Sequence, residues 1–126
     1  MTLSGPAYEG EYPFHTSDDT RTRFFLDLGM TVDPALDAAA QSEFYGTVSR
    51  EEARRLDADV QVFQVGSPAE QAGIEGDPVL AGLSTVAEGR SLFIDGDDYA
   101  ALQFASALSL PYLLDSLLPK LADVVA

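Results

Sequence analysis

Between Asp59 and Gly66 the chain reads Val-Gln-Val-Phe-Gln-Val, six residues rich in strand formers and closed at both ends by turn residues. Directly after it, Pro68 stands at a first-turn position and opens a helix that should end before Gly73. Asp77-Pro78 opens another, and Ser91–Ile94 is a second short apolar strand. A chain that keeps switching between strand and helix in this way predicts an α/β fold. The expected form is three α/β/α layers around a mainly parallel sheet covered on both faces.

The remaining segments fill in that plan. Residues 1–10 read as a flexible lead-in, with a short strand near Tyr8–Phe14. Ser17 is placed to cap a helix whose Phe24, Phe25 and Leu28 share a face, and Gly29 suits the left-handed residue after its end. Thr31–Gly46 lacks periodicity and reads mostly as loop. Ser49 and Glu52 have the spacing of a capping box for a helix running to Leu56. Asp95-Gly96-Asp97 is a turn before a helix over Asp98–Ala105. The last helix starts near Ser109, with Leu110, Leu113, Leu114, Leu117, Leu118 and Leu121 on one apolar face and Pro119 expected to kink or divide it. No repeat or linker divides residues 1–126, which read as a single domain.

Charge and composition remove several classes of function. With 21 acidic against 7 basic residues the net charge is -14, and no cluster of Lys and Arg exists to neutralise phosphates, so nucleic acid is not an expected partner. Cysteine is absent, which excludes disulfides and thiolate metal sites. Residues 1–10 have neither the basic start nor the apolar run of a signal peptide. Leu108–Ala126 is broken by Pro111, Asp115, Pro119 and Lys120 and does not read as a membrane span.

Catalytic groups are equally scarce. His15 is the single histidine, so no histidine pair can hold zinc, and no G-x-S-x-G supplies a nucleophile for it. Neither G-x-G-x-x-G nor G-x-x-x-x-G-K occurs. Asp95-Gly96-Asp97-Asp98 has a calcium-like start, but an EF-hand loop needs glycine at its sixth position and glutamate at its twelfth. Here glycine is second and Ser106 is twelfth. No enzyme, no cofactor and no metal ligand is expected.

Four segments in order carry a family resemblance. Phe25-Leu26-Asp27-Leu28-Gly29 resembles an L-x-x-L-G helix end. Ser49-Arg50-Glu51-Glu52 with Leu56-Asp57-Ala58-Asp59-Val60 resembles S-x-E-x-L…L-x-A-D-V. Asp77–Leu83 with Val86 and Glu88-Gly89-Arg90 resembles P-x-W-x-x-L-x-A-V-x-x-G-R-V, and Phe104–Leu110 with Leu114-Asp115 resembles S-P-L-S-L…L-D. Over Tyr12–Ala122 the chain resembles the C-terminal lobe of the class III periplasmic binding proteins, which carry ferric siderophores, haem or cobalamin to ABC importers.

The resemblance implies a Rossmann-like half of a two-lobed protein, with the ligand held between this lobe and an N-terminal lobe that the sequence lacks. It implies ligand contacts from Tyr45, Tyr99, Asp98, Phe104, Phe14 and His15, with ordinary packing as the alternative for each aromatic. It implies a role for Glu51 in docking to arginine pockets of the importer permease, against a simple helix-dipole role; Glu52 is assigned to the capping box. The sequence departs from the family in having no tryptophan and in carrying Ala107 where proline is frequent. Only Arg21, Arg23 and Arg90 are placed to clamp an anion, which favours a neutral or cationic ferric hydroxamate over an anionic catecholate complex; haem and cobalamin are the less expected ligands. The expected function is therefore siderophore binding and delivery, outside the cytoplasm and in the periplasm or on a lipid anchor. A homodimer through the exposed half-cleft is a further expectation, and a stand-alone interaction or regulatory domain is the alternative.

Overall fold

Five strands form one sheet in the order β3-β2-β1-β4-β5. They are β1 (Thr2–Ser4), β2 (Glu11–His15), β3 (Tyr45–Ser49), β4 (Gln61–Gln64) and β5 (Ser91–Ile94). The computed structural model describes residues 1–103 and 109–125. β1 pairs parallel with β4 and β4 with β5, whereas β2 runs antiparallel to both β1 and β3. Four strands thus point one way and β2 alone runs against them.

Seven α-helices are described: α1 (Thr20–Asp27), α2 (Pro34–Ala39), α3 (Pro68–Glu75), α4 (Pro78–Ala81), α5 (Ser84–Ala87), α6 (Gly96–Gln103) and α7 (Ser109–Val125), with a 3-10 helix at Arg50–Leu56. They cover both faces and give the expected three layers. On one face Leu3, Val62, Leu92 and Ile94 pack with Phe24 and Phe25 of α1, Leu102 of α6 and Leu113, Leu117 and Leu121 of α7. On the other, Tyr12, Phe14, Val48 and Phe63 pack with Leu36 of α2, Leu56, Ile74 of α3 and Leu80 of α4. β4 is buried at every position, so its side chains feed both cores.

The structure corrects several local expectations. Thr2–Ser4 is not part of a lead-in but the central strand, buried throughout. Its two hydroxyls, which made it look like loop, are consumed internally: Thr2 Oγ1 donates to the Leu56 carbonyl at 2.8 Å and Ser4 Oγ to that of Pro13 at 2.6 Å. Within Thr31–Gly46 a short helix, α2, forms on the Asp33 cap and Pro34, and β3 begins at Tyr45. α1 is capped by Asp19 rather than Ser17, which instead donates to Asp37. The capping box at Ser49 and Glu52 does not form: Ser49 makes no side-chain cap bond and Glu52 pairs with Arg55 at 3.5 Å. α3 continues through Gly73 to Glu75, and Pro119 lies inside an undivided α7. On α7 the leucines split. Leu113, Leu117 and Leu121 are buried, while Leu110, Leu114 and Leu118 lie on a flank that remains exposed.

Two glycines hold turns and close approaches. Gly29 has φ +95 and ends α1 as expected. A Cβ on Gly46 would come within 2.7 Å of the Phe14 ring and 2.8 Å of the Ala40 backbone, so α2 can press against β3 only because that side chain is absent.

Asp57, at the end of the 3-10 helix that leads into β4, fastens that segment to the start of α5. Its carboxylate accepts from the Ser84 amide at 3.1 Å, the Ser84 hydroxyl at 2.6 Å, the Thr85 amide at 3.2 Å and the Thr85 hydroxyl. Burial pushes this carboxyl up, but the four donors outweigh it and hold its pKa at about 2, against 3.8 ordinarily. The folded pKa is depressed, so the stabilisation is present above pH 4 and is lost as pH falls through about 2. Asp57→Ala is expected to cost about 1–2 kcal/mol at pH 7 in urea unfolding. That cost should shrink as the measurement is taken down from pH 5 towards pH 2.

Candidate functional site

β2 alternates cleanly, with Tyr12 and Phe14 on one face and Pro13 and His15 on the other. His15 is therefore aimed at the layer containing α1 and α6, and its direct cross-strand neighbour is Tyr45. Around this pair, at the N-terminal end of α1 and the C-terminal end of α6, lies a cavity of about 400 Å³ lined by Asp19, Thr20, Arg21, Phe44, Tyr45 and Gln103. Phe44 and Tyr45 are 50% and 53% exposed, which places two aromatic rings free at its rim.

Behind the rim is a closed ring of five polar side chains. Arg21 donates from Nε to Asp19 Oδ1 at 2.9 Å and from Nη2 to Asp19 Oδ2 at 3.0 Å, a two-point ion pair. Its Nη1 donates to Gln103 Oε1 at 2.6 Å, and Gln103 Nε2 donates to Gln64 Oε1 at 2.5 Å. Gln64 Nε2 lies 2.5 Å from His15 Nε2, and His15 Nδ1 lies 3.2 Å from Asp19 Oδ2, which closes the ring. Burial lowers the His15 pKa and the Arg21 charge lowers it as well, while the charge and hydrogen bond of Asp19 raise it without restoring the ordinary value. Burial pushes the Asp19 carboxyl up, but hydrogen bonds from Arg21 bring it below its ordinary value. Asp19 also caps α1 through the Arg21 amide at 2.9 Å, so one carboxylate fixes both the helix start and the guanidinium.

The expected site residues separate into groups. Tyr45 and His15 are together, Tyr45 on the rim and His15 beneath it. Phe14 is not available: its ring is fully buried among Tyr12, Leu36 and Val48, because alternation turns it away from His15. Asp98 is 5% exposed, and its carboxylate accepts from Ser116 Oγ at 2.7 Å and Lys120 Nζ at 3.0 Å of α7. Burial raises that carboxyl, but these donors outweigh it and hold it below its ordinary value, so Asp98 pins α6 to α7 rather than facing a ligand. Tyr99 does not line the cavity with Tyr45. It is half-buried, one turn of α6 before Gln103, and its ring lies beside Gly66. Phe104 lies outside the described residues. Glu51 is exposed on the 3-10 helix, where Arg50, Arg54 and Arg55 supply three of the chain's seven basic residues.

Phe44, Gln103, Gln64 and Asp19 were not singled out from sequence. The two glutamines carried no signal, but Phe44 beside Tyr45 at a strand start and Arg21 within a polar helix start did. A larger concavity of about 570 Å³ lies past β4 and β5 among Gly66, Ser67, Gln71, Glu75 and Asp95, and it has no aromatic or basic lining residue. Among the described residues no group of metal-ligating side chains comes together, and no helix is long and apolar enough to cross a membrane.

No family model matches the sequence, and neither does any curated protein. Solved structures do. A periplasmic solute binding protein from Mycobacterium smegmatis matches with TM-score 0.79 and 27% identity over 99% of this chain. PiaA of Streptococcus pneumoniae in complex with ferrichrome matches at 0.79 and 21% over 98%. The fold is that of one lobe of a class III periplasmic binding protein. FhuD2 from Staphylococcus aureus with bound ferrioxamine B shares it at 0.74 and 16% over 99% of this chain. The lobe spans only 41%, 42% and 48% of those three chains respectively, less than half of each.

Phe14 and Tyr45 should respond in opposite ways to truncation. Phe14→Ala is expected to cost about 3–5 kcal/mol of folding stability, as for a filled core position. Tyr45→Ala is expected to stay within about 0.5 kcal/mol of wild type, as for a surface side chain. Chemical denaturation of both variants measures the difference.

Proposed function

We propose that this lobe supplies one side of a cleft that holds a ferric siderophore, and that a second lobe closes over it for delivery to an ABC importer outside the cytoplasm. The observation that carries the reading is the pair of exposed rings, Phe44 and Tyr45, standing beside a guanidinium that the ring of polar side chains holds in place. The rings offer apolar walls to a chelate. Arg21 spends three of its five N–H groups on Asp19 and Gln103, leaving two as donors for oxygen atoms of the chelator. Because Asp19 balances its charge, the wall suits a neutral or cationic hydroxamate complex better than a polyanion. Ferrichrome and ferrioxamine B, the ligands of two structural neighbours, are of the size and kind to test. The protein grips the chelator, so no side chain needs to reach the iron and no bond is made or broken.

Glu51 is the proposed contact to the permease, an exposed carboxylate suited to an arginine fork. A second reading, that the domain serves to bind another protein, is favoured by the exposed flank of α7 at Leu110, Leu114 and Leu118. Both readings allow self-association of the lobe when its partner surfaces are uncovered.

Five tyrosines and no tryptophan make tyrosine fluorescence a clean reporter. Titrated with ferrichrome or ferrioxamine B, the lobe alone is expected to bind weakly or undetectably, and strong saturable quenching at submicromolar ligand would contradict that. Joined to a complementary lobe it should bind, and Tyr45→Ala should then weaken affinity by about 1–2 kcal/mol. Equal affinity in that variant would remove the cavity from the proposal. Glu51→Arg in the joined protein should reduce ligand-stimulated ATP hydrolysis by the importer while leaving siderophore affinity unchanged.

A further inference from the structure

The ring behind the cavity has only one consistent direction. Arginine donates and never accepts, and a carboxylate only accepts, so the two ends of the chain are fixed by chemistry rather than by amide placement. Arg21 must meet the oxygen of Gln103, which turns the Gln103 amino group to Gln64. Gln64 must answer with its oxygen, which turns its own amino group to His15. His15 Nε2 is then an acceptor, and Nδ1 carries the proton that it donates to Asp19. The ring closes only with a neutral imidazole in the Nδ1–H form.

A proton taken from solvent onto His15 Nε2 breaks that order. The imidazolium donates from both nitrogens, so Gln64 would face it donor to donor. Reversing Gln64 offers its oxygen to His15 but presents its amino group to Gln103. Reversing Gln103 in turn sets its amino group against Arg21, which cannot accept. The conflict cannot be absorbed within the ring and ends at the Arg21–Gln103 bond. We propose that Gln64 and Gln103 are positioning residues that transmit the protonation state of His15 to Arg21, so that Arg21 is held at the cavity wall by Gln103 only while His15 is neutral.

The surroundings fit such a relay. Asp19 and Gln64 are buried and the side chain of His15 is 13% exposed, so little water competes on that side of the ring, while Arg21, 29% exposed, meets the solvent of the cavity. The charged groups facing His15 are Asp19 and Arg21 from the start of α1. β4 and α6 contribute the neutral Gln64 and Gln103, and β3 contributes Tyr45. Burial and Arg21 hold His15 below the ordinary 6.5, so the ring is closed at pH 7 and opens only in the range below 6.5. In the open state Arg21 keeps Asp19 but loses its second anchor, and the wall gains one positive charge. The relay is a property of the fold. Its consequence for ligand affinity rests on the reading of the cavity given above.

As the single histidine, His15 can be followed without ambiguity in a 15N-labelled lobe. At pH 7.5 its Nδ1 should resonate as protonated and its Nε2 as an unprotonated, hydrogen-bonded acceptor. Side-chain N–H exchange of Arg21 is read against Arg23, an exposed arginine on the same helix. Protection of Arg21 relative to Arg23 should fall roughly tenfold in step with the His15 titration, the order expected for losing one charge-assisted hydrogen bond. In Gln103→Leu that protection should be low at every pH, while His15 still titrates. An Nε2–H tautomer at pH 7.5, or Arg21 protection unchanged across the wild-type titration, overturns the relay. Neither readout involves a siderophore. A relay that fails with binding intact, or binding that fails with the relay intact, tells the two proposals apart.

Discussion

Gln64 brings a primary amide into the buried face of a sheet, and an amide removed from water must be fully partnered or it costs about 1–3 kcal/mol. Much of the site geometry follows from satisfying it. Its oxygen draws Gln103 from the end of α6, its amino group draws His15 from β2, and through them Arg21 and Asp19 tie in the start of α1. Four elements converge on one hydrogen-bonded circuit. The same circuit that removes a buried penalty also fixes a guanidinium at the wall of a cavity.

A second device of the same kind stiffens the opposite side of the domain. Asp57 gathers the amides and hydroxyls of Ser84 and Thr85, and Thr85 Oγ1 also reaches the Ala58 carbonyl. Asp98 does comparable work between α6 and α7 with Ser116 and Lys120. In each case a carboxylate that looks like surface charge is used to bind one helix to its neighbour. This leaves fewer of the 21 acidic residues free to act on partners than the net charge suggests.

The strands β4 and β5, the helix starts at Pro68, Pro78 and Ser109 and the left-handed Gly29 were legible because local chemistry dictates them. β-Branched runs, first-turn proline and glycine at positive φ each act within a few residues. β1 was not legible. Three residues are too few to show alternation, and its Thr and Ser hydroxyls are polar until Leu56 and Pro13 accept from them. The leucines of α7 lie on one side of a helical wheel, yet only Leu113, Leu117 and Leu121 are covered, since the area of a neighbour decides how much of an apolar stripe is used.

For the site, sequence alone determined the residue types at hand: one histidine, six arginines, no tryptophan and no cysteine, and hence a lobe without the means for thiolate or histidine-pair zinc chemistry. The resemblance named Tyr45 and His15, but Tyr45 read as loop, and only the pairing of β2 with β3 sets the two side by side. Tertiary structure alone decided that Phe14 turns inward, that Asp98 is consumed by α7 and that Gln64 and Gln103, 39 residues apart, complete one circuit with Arg21. The physical reason is range. Backbone propensity is written in neighbouring residues, whereas the partner of a buried polar group is chosen by what the fold brings within hydrogen-bonding distance.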